Sequence, residues 1–145
     1  MLHERSTGGI LEVRFDPTHW AASAARRQAR TMLDAFGIPP DVAGDVELII
    51  AELATNAVEQ EPGAPVRLEL TATGQAVMVA VTNRTKGHHL PERPRDAAAF
   101  RGDDGLAERG WGLTIVEALG DELSIDGDDG LTTVRVLRRY RADAD

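Results

Sequence analysis

The sequence predicts an α+β domain in which one mixed or antiparallel sheet is covered by helices on one face. Three kinds of pattern support this fold class. Apolar and polar residues alternate in several short segments, apolar residues recur at helical spacing in longer ones, and glycines or prolines separate them. A chain of 145 residues has the length of one domain. We expect a single domain over residues 8–139, with flexible termini at 1–7 and 140–145.

The first half of the chain is expected to form a strand and two helices. Residues 10–15 alternate apolar with charged side chains, which is the period of a strand with one buried face. Residues 18–37 carry apolar side chains at helical spacing and end in a glycine, which predicts an amphipathic helix. A second helix is predicted over residues 41–61, after two consecutive prolines.

The second half is expected to form two hairpins around a long irregular segment. Residues 66–71 and 77–81 alternate on either side of a turn, which predicts the first hairpin. Residues 84–109 are rich in proline, glycine and charge, and a segment of this length is typical of a functional lid or of disorder. A third helix over 113–120 and a second hairpin over 123–137 complete the predicted order.

The composition limits the possible classes of function. A formal net charge of −8 gives little electrostatic support to nucleic acid binding. The absence of cysteine excludes disulfides, thiolate metal sites and thiol catalysis. No apolar run approaches the length of a membrane span, and the first residues lack the apolar core of a signal peptide. We therefore expect a cytoplasmic protein without nucleic acid or membrane partners.

The second predicted helix carries a carboxylate and an amide one turn apart. Glu52 and Asn56 are separated by four positions, so their side chains share one face at the margin of the apolar stripe. A carboxylate in a cleft can deprotonate a hydroxyl, and an amide oxygen is a suitable magnesium ligand. Pairs with this spacing are also common on solvated helix surfaces, and the spacing alone does not separate the two interpretations.

A glycine-containing segment precedes the third predicted helix. In Gly110-Trp111-Gly112-Leu113 the backbone is relaxed by two glycines and opens into an apolar helix. Main-chain N–H groups and a helix N-terminus in this arrangement can bind phosphate. The neighbouring Arg109 could approach the same phosphate or face solvent. A simple junction between a loop and a helix is the alternative interpretation of this segment.

The order of these motifs resembles the GHKL ATP-binding superfamily, and within it the short stand-alone bacterial serine/threonine kinases that act as anti-sigma factors. The resemblance extends from about Leu11 to Leu137. Glu52-Leu-Ala-Thr-Asn56-Ala matches the N box of that family, and Gly110-Trp-Gly112-Leu113 matches its glycine box. The resemblance implies a Bergerat-type two-layer sandwich with an ATP lid over residues 84–109.

The resemblance also implies roles for individual residues. Glu52 is the expected base of the phosphorylating branch, and Asn56 is the expected magnesium ligand. The glycine box is expected to hold the phosphates at the hinge of the lid, and the segment around Asn83, together with Thr133, is expected to lie near the adenine. The cofactors implied are ATP and Mg²⁺, and the full set of expected nucleotide-binding residues is Asn56, Asn83, Gly87, Arg109, Gly110, Gly112, Leu113 and Thr133.

One segment departs from the family pattern. Residues 81–87 stand where the family usually has D-x-G-x-G, so Asn83 replaces the aspartate that reads adenine and Thr85 replaces the first glycine. The Asn83 oxygen can still accept from the adenine amino group, but without the charge of a carboxylate. A threonine also restricts backbone angles that a glycine permits. We expect weakened or altered nucleotide binding.

The resemblance implies a regulatory protein kinase. Its expected partners are an anti-anti-sigma protein of the STAS type, phosphorylated on serine or threonine, and a sigma factor, and the family usually forms homodimers. The degenerate adenine segment favours an alternative, a catalytically inactive module of the same fold that binds a protein and has weak or no nucleotide binding.

Two further features of the first helix are open to more than one interpretation. Trp20 is interpreted as a core or interface residue. Arg26, Arg27 and Arg30 are expected to form a solvated helix face, although a partner of opposite charge could use them.

Overall fold

The structure is a computed structural model and describes residues 2–7, 9–60, 65–84, 115–128 and 130–141. Within these residues it contains six strands and two long helices. Residues 115–119 are also helical. The strands are β1 (Leu2–Thr7), β2 (Ile10–Phe15), β3 (Val66–Ala72), β4 (Ala76–Arg84), β5 (Glu122–Asp128) and β6 (Leu131–Arg139), and the helices are α1 (His19–Ala35) and α2 (Pro40–Gln60).

All six strands belong to one sheet, in the order β1-β2-β3-β4-β6-β5. Every described pairing is antiparallel, so the antiparallel form of the predicted sheet is the one observed. The second hairpin joins the sheet through β6, which lies between β4 and β5. Strand β6 pairs with β4 over nine residues of each strand.

Helices α1 and α2 pack on one side of the sheet, which we call the helix-facing side, and the opposite side is called the outer face. Strands β2 and β3 alternate buried with more exposed residues, because one side chain in two points into the helix layer. Burying each large apolar side chain contributes roughly 1.5–3 kcal/mol. The largest fully buried ones are Phe15, Leu11, Leu33, Ile49, Ile50, Leu53, Leu68 and Leu70.

The ends of α1 follow from two local signals in the sequence. The Thr18 hydroxyl accepts a hydrogen bond of 3.1 Å from the backbone N–H of Ala21, which caps the N-terminus. At the other end Gly37 adopts a left-handed φ of 71° and its N–H donates to the carbonyl oxygen of Asp34. The predicted helix over 18–37 is confirmed to within two residues at each end.

Two of the arginines on α1 connect it to α2. An Arg30 Nη1–Glu47 Oε2 hydrogen bond of 2.7 Å joins the helices, and Arg26 Nε lies 3.8 Å from Glu47 Oε1. Hydrogen bonds to Glu47 and then to Asp34 raise the pKa of the Arg30 guanidinium. Arg26 and Arg30 keep 40% and 36% of their side-chain surface exposed, so they remain partly solvated as expected, but they also connect α1 to α2, which the expectation did not include. Arg27 is exposed, as expected.

Two other expectations differ from the structure. Residues 1–7 are expected to be a flexible terminus, whereas Leu2–Thr7 forms β1 and pairs with β2 along six residues. Its sequence lacks clear alternation, but backbone pairing at a sheet edge does not require it. Trp20 is 70% exposed, so it is not a core residue. Among the described residues, no helix has the length and hydropathy that a membrane span requires.

Candidate functional site

Helix α2 presents Glu52 and Asn56 at the margin of its buried stripe. Both residues are half-buried, while Ile49 and Leu53 beside them are fully buried. This arrangement follows from the helical period, since residues four positions apart lie one above the other. The carboxylate and the amide therefore lie on one face of α2, between the core and the solvent, as their spacing predicts.

An ion pair joins the first part of α2 to the end of β6. Arg138, near the end of β6, contacts Asp45 Oδ2 through Nη2 at 3.0 Å and through Nε at 3.2 Å. From Asp45 to Asn56 the helix rises about 16 Å. From Arg138 back to Thr132 the strand covers about 20 Å. The other end of α2, at Gln60, is six positions before Val66, where β3 begins beside the end of β4, so we infer that Asn56 lies towards that end of the sheet.

Two polar side chains occupy that end of the helix-facing side. Asn83 and Thr132 are register partners across β4 and β6. They are 6% and 1% exposed and are the buried polar residues of the described chain. The preceding residue pair on the same side is Val81 and Val134, which are buried and apolar. Asn83 and Thr132 thus continue an apolar row of β4 and β6 to the end of the sheet.

The structure does not bring Thr133 together with Asn83. The Thr133 hydroxyl lies 2.9 Å from the Thr82 hydroxyl on the outer face, where the two residues are register partners. The residue opposite Asn83 is Thr132, which the sequence interpretation did not name. The sequence pattern could have identified it. Val134 and Val136 are the apolar residues of β6 that are expected to face the core, and Thr132, two positions before Val134, lies on the same face.

The remaining predicted site residues lie outside the described residues. They are the lid and glycine-box positions Gly87, Arg109, Gly110, Gly112 and Leu113, together with Thr85 and nearly all of the lid over 84–109. The helix predicted after the glycine box is confirmed at residues 115–119.

That helical segment packs closely against β6. Val116 is fully buried, and a Cβ atom at Gly120 would lie 2.4 Å from Val136 Cγ1. A glycine at this position therefore allows the end of the segment to approach the strand.

A cavity of about 460 Å³ opens at the same end of the sheet as Asn83. Its wall is formed by the ends of β2 and β4 and the starts of β3 and β6. Most of its residues belong to the outer face, and Asn83 lies at its boundary with the helix-facing side. The lining residues are Arg14, Pro65, Val66, Arg67, Thr82, Asn83, Arg84 and Leu131.

The comparison with protein families decides the classification. The family model described as "Histidine kinase-like ATPase domain" matches residues 13–138, which extend from within β2 to the last but one residue of β6. The chain belongs to this family. The resemblance to the GHKL superfamily is confirmed, as is the α+β fold with helices on one face of the sheet, the Bergerat-type arrangement.

Two solved structures share the fold of this histidine kinase-like ATPase domain. The crystal structure of the RsbU and RsbW domains of Rv1364c from Mycobacterium tuberculosis matches with a TM-score of 0.63 and 25% identity over 95% of this chain. The present chain spans 35% of that longer chain. The SiaB–SiaC complex from Pseudomonas aeruginosa matches with a TM-score of 0.61 and 17% identity, over 91% of both chains. No curated protein matches the chain.

Proposed function

We propose that this histidine kinase-like ATPase domain binds magnesium ATP and regulates a protein partner by phosphorylating it. The observation that carries the proposal is the position of α2. The Asp45–Arg138 ion pair at one end of α2 and the short connection from its other end to β3 support a position of Glu52 and Asn56 towards the end of the sheet where Asn83 and Thr132 are buried. The proposed site therefore combines polar side chains from α2, β4 and β6 on the helix-facing side.

The donor set in this region fits the chemistry of a magnesium nucleotide. The Asn56 amide oxygen is a ligand of the kind that Mg²⁺ accepts beside waters and phosphate oxygens. Asn83 and Thr132 offer neutral donors and acceptors for the edge of a base. By the family resemblance, Gly110, Gly112 and Leu113 would hold phosphates through the backbone, with Arg109 and Gly87 nearby.

Glu52 is the residue proposed to move a proton. Its carboxylate would accept the proton of a serine or threonine hydroxyl on the partner as that oxygen forms its bond to phosphorus. Magnesium ATP, when bound, supplies the phosphoryl group and releases ADP. Half-burial at the margin of α2 suits this role, because the carboxylate borders the core and still reaches a substrate from solvent.

The proposed partners are a STAS-type anti-anti-sigma protein, a sigma factor, or both, and the proposed assembly is a cytoplasmic homodimer. Support comes from the fold neighbours: one contains an RsbW domain in the same chain as an RsbU domain, and SiaB is found in a complex with SiaC.

Phosphotransfer with labelled ATP tests the kinase proposal. The purified protein is incubated with Mg²⁺, ATP and a STAS-type protein encoded near its gene, and wild type is compared with Glu52→Ala. We expect transfer by wild type and a loss of about a hundredfold or more in the variant, since general base catalysis contributes on that order.

Glu69→Ala is the matched control, because Glu69 is a half-buried glutamate on the outer face and pairs with Arg67 there. Undiminished transfer by Glu52→Ala, or an equal loss in Glu69→Ala, would contradict the role of Glu52.

Asn83 favours a second candidate function, a module that keeps the fold and binds a protein without phosphorylating it. A neutral amide replaces the charged acceptor that the family uses at this position, and a charge-assisted hydrogen bond is roughly twice as strong as a neutral one. Calorimetry with ATP and ADP separates the candidates. No heat at millimolar nucleotide, together with stable binding of the protein partner, would support the second.

A further inference from the structure

Three arginines line the cavity of about 460 Å³ at the end of the outer face. Arg14 on β2 and Arg67 on β3 are register partners, and Arg67 is also opposite Thr82 on β4. Arg84 lies two positions after Thr82 and therefore on the same face. We call the three arginines and Thr82 the arginine recess. Among the described residues, no aspartate or glutamate lines this cavity.

Two carboxylates pair with the arginines from one side only. Glu12 lies 3.3 Å from Arg14 Nε and 3.4 Å from Arg67 Nη2, and Glu69 Oε1 lies 3.4 Å from Arg67 Nε. Glu12 and Glu69 are register partners, two positions from the arginines towards the middle of the sheet. Like charges directly opposite each other destabilise a sheet, and these carboxylates reduce that repulsion. They hold the two arginines in place and leave the cavity side without a negative charge.

Arg84 adds a third guanidinium beside apolar surface. It forms no ion pair within the part of the chain that the structure describes. Its register partner Leu131 is 46% exposed, and Leu131 and Pro65 both line the cavity. A guanidinium presents five N–H donors in one plane and can bind a carboxylate through two parallel hydrogen bonds. The recess therefore offers charged donors next to an exposed apolar side chain.

The size and lining of the recess favour a peptide over a single ion. Pockets of roughly 300–1,000 Å³ bind ligands that carry several functional groups. A free anion would use the guanidinium groups but gain nothing from the exposed Leu131 side chain. Since the net charge of the chain is −8, an acidic segment is attracted only where positive groups are locally concentrated.

We propose that the arginine recess is a docking site for a segment of a partner protein that combines carboxylates with an apolar side chain. The carboxylates bind the guanidinium groups, and the apolar side chain packs on Leu131. The recess lies on the outer face, whereas Glu52 and Asn56 belong to the helix layer on the other side of the sheet. The inference does not depend on nucleotide binding, so each proposal can stand if the other fails.

Fluorescence anisotropy with a labelled synthetic peptide tests the docking site. The probe is a capped peptide in which aspartate and leucine alternate, and the control peptide carries asparagine in place of each aspartate. We expect wild type to bind the aspartate peptide at least about tenfold more tightly, because charge-assisted hydrogen bonds are lost in the control. The affinity should fall as the salt concentration is raised. In NMR spectra the aspartate peptide should shift the amide signals of Thr82, Arg84 and Leu131 and leave those of α1 unchanged.

Arg84→Gln is the informative variant, because it breaks no ion pair among the described residues. We expect it to weaken binding of the aspartate peptide by about tenfold, and Arg84→Lys to retain part of the affinity. Arg27→Gln is the matched control. It changes the net charge by the same amount at an exposed position of α1, on the other side of the sheet, and should leave the affinity unchanged.

Four results would overturn the inference. Equal binding of the two peptides would show that carboxylates are not recognised. Equal losses in Arg84→Gln and Arg27→Gln would show that only the net charge matters. Binding of inorganic phosphate as tight as that of the peptide would make the recess a simple anion site. Displacement of the peptide by magnesium ATP, with weaker ATP binding in Arg84→Gln, would assign the recess to the nucleotide site.

Discussion

Two adjacent threonines in β6 have different environments because successive side chains of a strand point to opposite faces. Thr132 is buried on the helix-facing side opposite Asn83, whereas Thr133 bonds to Thr82 on the outer face. The two residues are both threonines of β6, and their side chains lie on opposite faces of the sheet. They form a natural pair for testing which face binds nucleotide.

Replacing Thr132 by valine should weaken ATP binding. Valine keeps the shape of the threonine side chain but removes the hydroxyl that is proposed to bond to the base. We expect a loss of roughly threefold to tenfold in affinity by calorimetry. Thr133→Val should leave the affinity unchanged and remove only the bond to Thr82. The opposite result, a loss confined to Thr133→Val, would contradict this prediction and support the sequence-based expectation that Thr133 binds the nucleotide.

At the scale of whole elements, the Asp45–Arg138 pair joins α2 to β6 where β6 ends. The side chains of Arg138 and Asp45 are 22% and 34% exposed, so water screens them less than a pair at the surface. On β5 and β6, Asp126 and Arg135 form a pair of similar geometry, with an N–O distance of 2.8 Å, but both are largely exposed. The comparison isolates the effect of burial on such a contact.

A double-mutant cycle to alanine at Asp45 and Arg138 should give a coupling free energy of about 0.5–1 kcal/mol. The same cycle at Asp126 and Arg135 should give at most about 0.3 kcal/mol. Urea unfolding of the wild type, single and double variants measures both. Equal couplings in the two cycles would show that the inter-element pair adds nothing specific to the position of α2.

For the molecule as a whole, the strand order determines which backbone amides are best protected. Strands β3 and β4 are paired on both sides and lie beneath α2, whereas β1 and β5 form the edges. We expect the slowest native-state hydrogen exchange in β3 and β4 and the fastest strand exchange in β1. Exchange measured by NMR or mass spectrometry tests this, and protection in β1 equal to that in β4 would contradict the predicted order.

Much of the fold could be predicted from local periodicity, since hairpins and helices bury one face each. The position of β6 between β4 and β5 could not be predicted. The alternation of apolar and polar residues in a strand shows that one face is buried, but it does not show which distant strand is its partner. The edge strand β1 was missed for a related reason, as its residues do not alternate clearly.

The candidate site was predictable in the same partial way. Four-residue spacing placed Glu52 and Asn56 on one face of a helix. The end of the sheet that they approach depends on how α2 is held against the strands, and the contact between Asp45 and Arg138 joins residues 93 positions apart, so no local pattern predicts it.

The close approach at Gly120 makes the fold sensitive to side-chain size at a single position. Even a methyl group there would collide with Val136, whose β-branched side chain has little rotational freedom to move aside. Relief would come by lifting the end of the preceding helical segment away from β6. Gly120→Ala is therefore expected to shift the helical segment that follows the glycine box. It would do so through packing alone, without changing any residue that is proposed to contact the nucleotide.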